Sequence, residues 1–433
     1  MANASFQLQP QGRCAGLLDA PGDKSISHRA VMLASLASGT SQIRGFLSSS
    51  DCQATVAAFR SMGVRIVQPA SGRVQVHGVG LQGLHAPHGA LDMGNSGTAM
   101  RILAGILCAQ GFATRLTGDA SLSRRPMQRI VEPLQEMGAG ISMSPTQTPP
   151  LEIRPVDALH GIRYPLPVAS AQVKSCVLLA GLYAAGETCV ESPVRCRDHT
   201  ERLLQTFSYP VEVQGNRVCL EGGGKLEATE IEIPGDLSSA AFFMVGTLVS
   251  SSSQLVVKHV GINPTRSGVI EILQRMGARI DIRNKRNYGA EPVADLVVHS
   301  SALHGIDIPQ DLIADTIDEF PILFIAAACA RGTTRLSGAG ELRVKESDRI
   351  RTMVTGLQKL GIDAREKPDG LAITGGIFTG GEVDSVGDHR VAMAFAMASL
   401  VARDAVTVLN TDNVDTSFPG FVKCAEQLGL RFN

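Results

Sequence analysis

Apolar stretches of helical length alternate with short strand-like segments along the whole chain. Six times, an Ala- and Leu-rich stretch is followed by a small or polar turn and then by a short strand. These turns lie at Gly39, Gly111, Gly186, Ser251–Ser252, Gly332 and Asp404. Because the turns recur roughly every 65 to 80 residues, the pattern predicts six structurally equivalent units.

A second pattern interleaves with the first and consists of a helix that ends in a small residue before a strand. Its clear copies end at Gly63, Gly138, Gly277 and Gly361, and weaker copies stand at TERLLQTFSYPVEV and CAEQLGLRF. Each unit therefore carries two helices and several short strands, which is too much for a solenoid repeat of about 20 to 50 residues. We expect an α/β protein with two domains of three units each.

The domain boundary is predicted after the third unit. A Pro234–Gly235–Asp236 break precedes a new helix there, and a similar Pro21–Gly22 break precedes the first helix. A chain of 433 residues also exceeds what one hydrophobic core usually holds. We place the first domain at residues 22–234 and the main part of the second at residues 235–433.

Composition favours a cytoplasmic enzyme. The net charge of −1 gives no reason to expect nucleic acid or an anionic membrane as a partner, and we expect a monomer. No signal peptide or membrane-spanning run is recognisable in the sequence. The nine cysteines form no CxxC pair, and Cys108, Cys176 and Cys329 lie in apolar runs, which predicts reduced thiols in the core.

The candidate functional residues gather at the starts of the first-pattern helices. A helix N-terminus has unpaired N–H groups and a positive dipole end, which suit phosphate and carboxylate groups. Ordinary capping explains the Ser, Asn and Asp residues there, but not the basic residue that accompanies them. The candidates are Lys24, Ser25 and Arg29; Asn95, Ser96, Gly97 and Arg101; Ser170, Gln172 and Lys174; Asp318 and Glu319; and Asp388, His389 and Arg390.

Two further basic segments favour a site for a polyanion. The first holds Arg124 and Arg125, and the second, GELRVKESDRIRTM, holds Lys345, Glu346 and Arg349. The spacing of four predicts that Lys345 and Arg349 share one face of a helix. A solvated, salt-bridged helix is the alternative interpretation of the second segment.

Common nucleotide and metal motifs do not fit this chain. The segment Gly78–Gly83 matches a dinucleotide fingerprint, but no helix pattern follows it. The Lys24–Ser25 pair follows a Gly turn without the phosphate-loop spacing of ATP-binding proteins. The ten histidines form no compact ligand set, so we expect no metal.

The motifs together resemble the 5-enolpyruvylshikimate-3-phosphate synthase family. They are PGDKSISHRA, GNSGTAMR, RRPM, ASAQVKS, IDEFP, RVKESDR and GDHRVAMA, in the family's order across residues 21–396. The resemblance implies two similar domains, each with three βαβαββ repeats in an inside-out α/β barrel. It also implies that residues 1–21 belong to the second domain.

The resemblance further implies a reaction and a set of site residues. The reaction is transfer of the enolpyruvyl group of phosphoenolpyruvate to the 5-hydroxyl of shikimate 3-phosphate, without a cofactor. Asp318 is the implied base, and Glu346 with Lys24 the implied proton donor. The residues implied to hold shikimate 3-phosphate are Lys24, Ser25, Arg29, Ser170, Gln172, Asp318 and Lys345, and those implied to surround phosphoenolpyruvate are Lys24, Gly97, Arg125, Gln172, Arg349 and Arg390.

Some residues depart from the family pattern. Ala171 follows Ser170 and Ile102 follows Arg101, where one branch of the family has Ser and Pro. Thr416 stands two residues before Phe418, where relatives often carry a cation. The resemblance also implies glyphosate binding at the phosphoenolpyruvate site.

The distribution of the basic candidates predicts closure of the domains when ligands bind. Lys24, Arg29, Arg101 and Arg125 fall in the first predicted domain, and Lys345, Arg349 and Arg390 in the second. Like charges repel at short range, so we expect an open ligand-free state and closure around an anion that binds both sets.

Two other functions remain open at this level. One is the sister UDP-N-acetylglucosamine enolpyruvyl transferase, although residues 118–126 lack the reactive cysteine usual in that enzyme. The other is a non-catalytic anion-binding protein, which would gain nothing from carboxylates such as Asp318 and Glu346 in its site.

Overall fold

The computed structural model describes residues 4–433, in which thirteen helices and twenty-two strands follow one another along the chain. The helices are α1 Lys24–Leu36, α2 Ser50–Ser61, α3 Gly97–Leu107, α4 Gln128–Glu136, α5 Ala171–Gly181, α6 His199–Thr206, α7 Leu237–Val249, α8 Gly268–Arg275, α9 Ile313–Thr316, α10 Phe320–Cys329, α11 Arg349–Lys359, α12 His389–Ala398 and α13 Phe421–Leu428.

The strands are short, as the repeat pattern predicts. They are β1 Ser5–Leu8, β2 Gly16–Asp19, β3 Ser38–Arg44, β4 Arg65–Ala70, β5 Arg73–Val79, β6 Leu91–Asp92, β7 Thr114–Thr117, β8 Gly140–Ser142, β9 Leu151–Arg154, β10 Arg163–Pro165, β11 Glu187–Glu191, β12 Glu212–Gln214, β13 Arg217–Glu221, β14 Glu230–Glu232, β15 Gln254–Gly261, β16 Arg279–Tyr288, β17 Glu291–His299, β18 Thr333–Leu336, β19 Asp363–Lys367, β20 Gly370–Thr374, β21 Gly381–Asp384 and β22 Val406–Leu409.

The chain divides into two compact units. The N-terminal unit comprises Gly22–Ile233 together with Asn287–Glu291. The C-terminal unit comprises the described residues up to Pro21, then Pro234–Arg286 and Pro292–Asn433. Each unit has its own cluster of buried apolar side chains.

Three small sheets build the N-terminal unit, and all three have the same plan. Their strand orders are β14-β3-β5-β4, β6-β7-β9-β8 and β10-β11-β13-β12. In each, the first pair of strands is parallel and the next two pairs are antiparallel. The three sheets are thus copies of one βαβαββ unit.

The C-terminal unit has three corresponding sheets, with strand orders β16-β17-β15-β2, β18-β20-β19 and β1-β22-β21. Strand β2 pairs in parallel with β15, and β21 pairs in parallel with β22. Strand β14, which directly precedes α7, pairs in parallel with β3 of the N-terminal unit's first sheet. Strand β2 therefore completes a sheet of the C-terminal unit, whereas the next helix along the chain, α1, lies in the N-terminal unit. Strand β14 completes a sheet of the N-terminal unit, whereas the next helix, α7, lies in the C-terminal unit.

The first-pattern helices are buried and the second-pattern helices are amphipathic. Helix α10, FPILFIAAAC, is buried at nine of its ten positions, whereas α4 buries four of its nine. A helix that is apolar on all sides is stable only inside the fold. A Cβ atom at Gly105 of α3 would lie 2.1 Å from the carbonyl oxygen of Cys176 in α5, so these helices approach at backbone distance. Gly105 is therefore required where α3 meets α5.

All six second-pattern helices end with a residue of positive φ. Five of these residues are glycines, and the sixth is Ser208, with φ of 61°. In every copy the next N–H donates to a carbonyl five residues before it, as in Tyr209 to Leu204 at 2.8 Å. This is the Schellman ending, which satisfies carbonyls at the helix C-terminus. The five glycines are Gly63, Gly138, Gly277, Gly361 and Gly429.

The described helices, from α1 at Lys24 to α13 ending at Leu428, include none long and apolar enough to cross a membrane.

Exchanging serine and glycine between two of these helix ends tests whether the positive φ favours glycine there. Ser208→Gly is expected to raise the free energy of unfolding by about 0.5–1 kcal/mol, because glycine adopts a positive φ without the Cβ clash. Gly138→Ser is expected to lower it by a similar or larger amount, since φ is 91° there and a Cβ would lie 3.3 Å from the His160 ring. Urea denaturation of both variants measures the change. A loss of stability in Ser208→Gly would contradict the account.

Candidate functional site

The helices that carry the predicted site residues begin with side-chain caps. Asp23 accepts from the N–H of Ile26 at the start of α1, and Ser96 accepts from Ala99 at the start of α3. Ser170 caps α5 in the same way, through the N–H of Val173. These caps fix the first turns, from which the neighbouring basic and polar side chains extend.

At the start of α1, two cations have defined partners. Lys24 forms an ion pair with Asp51 in the first turn of α2. Arg29 is only 4% exposed, and its guanidinium donates to Ser175 Oγ at 2.8 Å, Thr200 Oγ1 at 2.7 Å and the Ser25 carbonyl at 2.9 Å. Neutral oxygens hold Arg29 in place, so its positive charge is not cancelled by these three contacts.

A second set of cations, Arg101 of α3 and Arg125 from the segment before α4, lies around Gly97. Arg101 donates to Gln172 Oε1 at 2.7 Å, and Gln172 in turn donates to Thr98 at 3.0 Å, which links α3 to α5. Arg125 donates to Asn95 Oδ1 at 2.6 Å. A Cβ atom at Gly97 would lie 3.2 Å from Arg125 Nη1 and 3.3 Å from Arg101 Nη1. The missing side chain leaves room for both guanidinium groups at this helix start.

Lys174 forms the most buried ion pair of the N-terminal unit's candidate site. It lies 3% exposed in α5, with its Nζ 2.5 Å from Glu201 Oε1 of α6. Burial alone would lower the pKa of Lys174, but the Glu201 carboxylate outweighs it and the pKa is raised. Lys174 therefore stays charged and joins α5 to α6.

In the C-terminal unit, one buried guanidinium gathers three carboxylates. Arg349 is 1% exposed, with Nε 2.8 Å from Asp388, Nη2 2.6 Å from Glu346 and Nη1 3.5 Å from Asp318. Loss of hydration opposes its charge, but Asp388 and then Glu346 and Asp318 overcome this and raise the pKa of Arg349. The carboxylates of Glu346 and Asp318 thus contact the same cation.

Asp388 and Arg390 extend this cluster. Asp388 is fully buried, accepts from the N–H groups of Arg390 and Val391, and so caps α12 while binding Arg349. Arg390 donates to the Asp318 carbonyl at 3.1 Å, and its Nη2 lies 4.0 Å from the Asp318 carboxylate. Arg390, in the first turn of α12, therefore contacts Asp318, the base implied by the resemblance.

Lys345 lies beside the cluster, but the predicted helical relationship to Arg349 is wrong. Helix α11 begins at Arg349 with Asp348 as its cap, and Lys345 has extended backbone after a short 3₁₀ turn. Its pKa is lowered, first by loss of hydration and further by Arg349, although Asp318 opposes the shift. The Asp cap, which starts the helix three residues later, is the physical reason for the difference.

The chain is similar to known proteins over nearly its whole length. Residues 8–424 match the model of the family described as EPSP synthase (3-phosphoshikimate 1-carboxyvinyltransferase). The chain belongs to the EPSP synthase family.

Relatives with that name resemble it over nearly their full length. The 3-phosphoshikimate 1-carboxyvinyltransferase of Methylococcus capsulatus is 59% identical, with 98% of this chain and 97% of the relative covered. That of Nitrosococcus oceani is 57% identical over 98% and 96%. A solved structure of EPSP synthase from Acinetobacter baumannii has a TM-score of 0.89 and 51% identity, covering 99% of both chains. The relatives thus support the EPSP synthase prediction and not the UDP-N-acetylglucosamine alternative.

The structure gathers the predicted site residues into two groups. Lys24, Ser25, Arg29, Gly97, Arg125, Ser170 and Gln172 lie in the N-terminal unit, and Asp318, Lys345, Glu346, Arg349 and Arg390 in the C-terminal unit. Glu319, a further candidate at the start of α10, is 1% exposed and instead binds Ser238 and lies 3.6 Å from Arg266. Its contacts are those of a buried structural carboxylate.

Sequence reasoning missed several partners of the site cations. Asp51, Glu201 and Thr200 were not singled out, although they contact Lys24, Lys174 and Arg29. Asp51 and Glu201 are acidic residues in the first turns of α2 and α6, which is a weak signal shared with ordinary helices. Only the three-dimensional proximity of these second-pattern helices to α1 and α5 distinguishes them.

The buried Lys174–Glu201 pair gives a stability prediction. Lys174→Met is expected to lower the free energy of unfolding by about 3–5 kcal/mol, because it leaves the Glu201 carboxylate buried without its cation. The double variant Lys174→Met/Glu201→Leu is expected to recover most of that loss. Denaturant unfolding of the single and double variants is the measurement. A loss below 1 kcal/mol in the single variant would show that Glu201 is hydrated.

Proposed function

We propose that this protein transfers the enolpyruvyl group of phosphoenolpyruvate to the 5-hydroxyl of shikimate 3-phosphate and releases inorganic phosphate. The observation that carries the proposal is the family match over residues 8–424. The Arg349 cluster supports it, because it combines two accessible carboxylates with fixed cations. Asp318 and Glu346 have side chains 17% and 22% exposed, whereas Asp388 is fully buried.

The chemistry requires two proton transfers before phosphate leaves. The methylene carbon of phosphoenolpyruvate takes a proton while the 5-hydroxyl loses one and its oxygen bonds to the adjacent carbon. The resulting tetrahedral intermediate then loses a methyl proton and inorganic phosphate, which restores the double bond. We assign the donation to carbon to Glu346 with Lys24, and the removal of the hydroxyl proton to Asp318. Positioned acid–base groups typically contribute about 10²–10⁴-fold in rate.

The cations are proposed to bind the two anionic substrates. Lys24, Ser25, Arg29, Ser170, Gln172, Asp318 and Lys345 would hold shikimate 3-phosphate. Lys24, Gly97, Arg125, Gln172, Arg349 and Arg390 would surround phosphoenolpyruvate. The supporting observations are the side-chain contacts that already fix Arg29, Arg125 and Arg349, since a guanidinium held in advance loses less entropy on binding phosphate or carboxylate.

We also propose that the enzyme acts as a monomer in the cytoplasm on small molecules, without a nucleic-acid or membrane partner. The balanced charge of 40 basic and 41 acidic residues supports this proposal. Sedimentation at several protein concentrations tests the oligomeric state.

Acceptor choice tests the proposed function. Purified protein is expected to release phosphate from phosphoenolpyruvate when shikimate 3-phosphate is present, and not when UDP-N-acetylglucosamine replaces it. Phosphate release with the nucleotide sugar alone would overturn the assignment. Release with neither acceptor would reduce the chain to an anion-binding protein.

Neutralising the proposed proton groups should reduce turnover more than binding. Asp318→Asn and Glu346→Gln are each expected to lower kcat at least about 100-fold, since each removes one acid–base group. Calorimetric titration is expected to show that shikimate 3-phosphate still binds both variants. Asp311→Asn, an exposed carboxylate on the preceding turn, serves as the control with unchanged kcat. Near-normal turnover in either variant would remove that residue from its role.

Gly97 gives a steric prediction. In Gly97→Ala the added methyl would displace the guanidinium groups of Arg125 and Arg101, which lie 3.2 and 3.3 Å from its position. Glyphosate is longer than phosphoenolpyruvate, so its inhibition constant is expected to rise by a larger factor than the KM for phosphoenolpyruvate. Steady-state inhibition kinetics measure both constants. Equal factors would show that the methyl does not distinguish the two anions.

The lowered pKa of Lys345 predicts a pH dependence. Because the group loses its proton at a lower pH than an ordinary lysine, its attraction for the substrate phosphate is complete at low pH and declines as pH rises through the lowered pKa. The KM for shikimate 3-phosphate is therefore expected to rise on the alkaline side. Lys345→Arg should shift that rise to higher pH, because arginine keeps its charge. Identical KM–pH profiles for the two proteins would exclude Lys345.

A further inference from the structure

A cysteine pair in the third sheet of the N-terminal unit lies outside the candidate site. Cys189 of β11 and Cys219 of β13 are bonded to each other, while the other seven cysteines in residues 4–433 are free. We propose that this pair is a reversible thiol–disulfide site, oxidised and reduced in the folded protein by exchange with small thiols and disulfides. The proposal is independent of the transferase reaction.

Sheet register brings the two sulfurs together. Cys189 and Cys219 are direct partners in the antiparallel β11–β13 pair. The N–H of Cys189 donates to Ile162 at 2.8 Å, on the side away from β13, so the two cysteines form a non-hydrogen-bonded pair. Such pairs are the narrow ones, and the Cα atoms here are 4.1 Å apart. The sulfurs therefore remain neighbours when the bond is reduced.

The pair lies on the polar face of its sheet, where both cysteines are nevertheless buried, with Cys189 3% and Cys219 5% exposed. Neighbouring residues at Val190, Val218 and Leu220 point to the opposite face and belong to the buried apolar cluster, which includes neither cysteine. The positions that share the cysteines' face carry long polar side chains, most of them exposed: Arg163, Glu187, Glu191, Glu212, Gln214, Arg217 and Glu221. Polar side chains, and not the apolar cluster, therefore cover the buried sulfurs, and exchange requires these side chains to move aside.

The surroundings of the two sulfurs differ in a way that suits exchange. The Arg217 guanidinium lies 3.2 Å from the Cys219 sulfur through Nε and 3.6 Å from the Cys189 sulfur through Nη2. A Glu187 carboxylate oxygen lies 3.2 Å from the Cys189 sulfur. An arginine beside a sulfur stabilises the reactive thiolate, whereas a carboxylate favours the protonated thiol. Cys219 is thus the attacking thiolate, and Cys189 is the thiol that resolves the intermediate.

The exchange step balances with one small disulfide as oxidant. The Cys219 thiolate attacks a sulfur of the small disulfide and releases one small thiolate. Cys189 gives its proton to Glu187 or water, attacks the Cys219 sulfur and releases the second small thiolate, which is then protonated. Two protein thiols and one small disulfide become one protein disulfide and two small thiols, and an excess of small thiol reverses the sequence.

Oxidation also constrains part of the candidate site. The two cysteines are 30 residues apart, and the loop that their bond closes contains α6 with Thr200 and Glu201. These residues bind Arg29 and Lys174. Because closing a loop lowers the entropy of the unfolded chain, the oxidised protein is expected to unfold several degrees above the reduced protein.

Alkylation after redox equilibration tests the proposal. The full chain is incubated with set ratios of glutathione and glutathione disulfide and precipitated with acid. It is then dissolved in denaturant at neutral pH with N-ethylmaleimide, so that burial does not limit labelling, and its peptides are analysed by mass spectrometry. Labelling of Cys189 and Cys219 is expected to fall together as the disulfide fraction rises, and to return when glutathione is added. Labelling of both at every ratio, or of neither at any ratio, would overturn the proposal.

Variants test the roles of the two sulfurs and of Arg217. Cys189→Ser is expected to retain a mixed disulfide with glutathione on Cys219, whereas Cys219→Ser should react about tenfold more slowly at Cys189. Arg217→Gln is expected to slow disulfide formation about tenfold, and Arg217→Lys to restore most of the rate. Arg115→Gln, on an exposed strand position of another sheet, is the control with an unchanged rate. An unchanged rate in Arg217→Gln would remove Arg217 from the mechanism.

Discussion

A buried cation must have partners that replace its lost hydration, and this constraint governs both halves of the candidate site. Arg349 is almost completely buried and is stabilised by Asp388, Glu346 and Asp318. Removing water from a charge is costly, so loss of one of these carboxylates would leave the buried guanidinium poorly compensated. The two carboxylates proposed for proton transfer are therefore also structural partners of the guanidinium. Their positions are set before any substrate binds.

The repeated βαβαββ unit supplies the places where such cations can lie. In four of the six repeats, the buried first-pattern helix has a side-chain cap, and its first turn carries polar candidates; these helices are α1, α3, α5 and α12. In two repeats the amphipathic second helix provides acidic or hydroxyl partners for these cations, namely α2 with Asp51 and α6 with Glu201 and Thr200. One architecture thus yields a set of cations held by polar partners in the N-terminal unit. In the C-terminal unit, it yields a set enriched in carboxylates.

Most of the fold could be predicted from the sequence because the apolar periodicity and the small residues at helix ends recur. All twelve copies of the two patterns contain a helix. Even in the weak copy TERLLQTFSYPVEV, the helix is followed by a residue of positive φ, Ser208, where the other second-pattern helices have glycine. The pairing of β14 with β3 could not be predicted, because register between distant strands leaves no local pattern. The same holds for the Cys189–Cys219 bond, whose partners are separated by a helix and a strand. The prediction that Lys345 and Arg349 share a helix face was wrong for a local reason, because Asp348 caps α11 and the helix begins only after Lys345.

The central claim is that a carboxylate of the Arg349 cluster delivers a solvent-derived proton to the methylene carbon of phosphoenolpyruvate. The most direct measurement is the reaction of the two substrates in D₂O, with the product analysed by mass spectrometry. The account predicts an enolpyruvyl adduct of shikimate 3-phosphate with deuterium in its methylene group. An adduct without deuterium, or pyruvate and phosphate without an adduct, would contradict it.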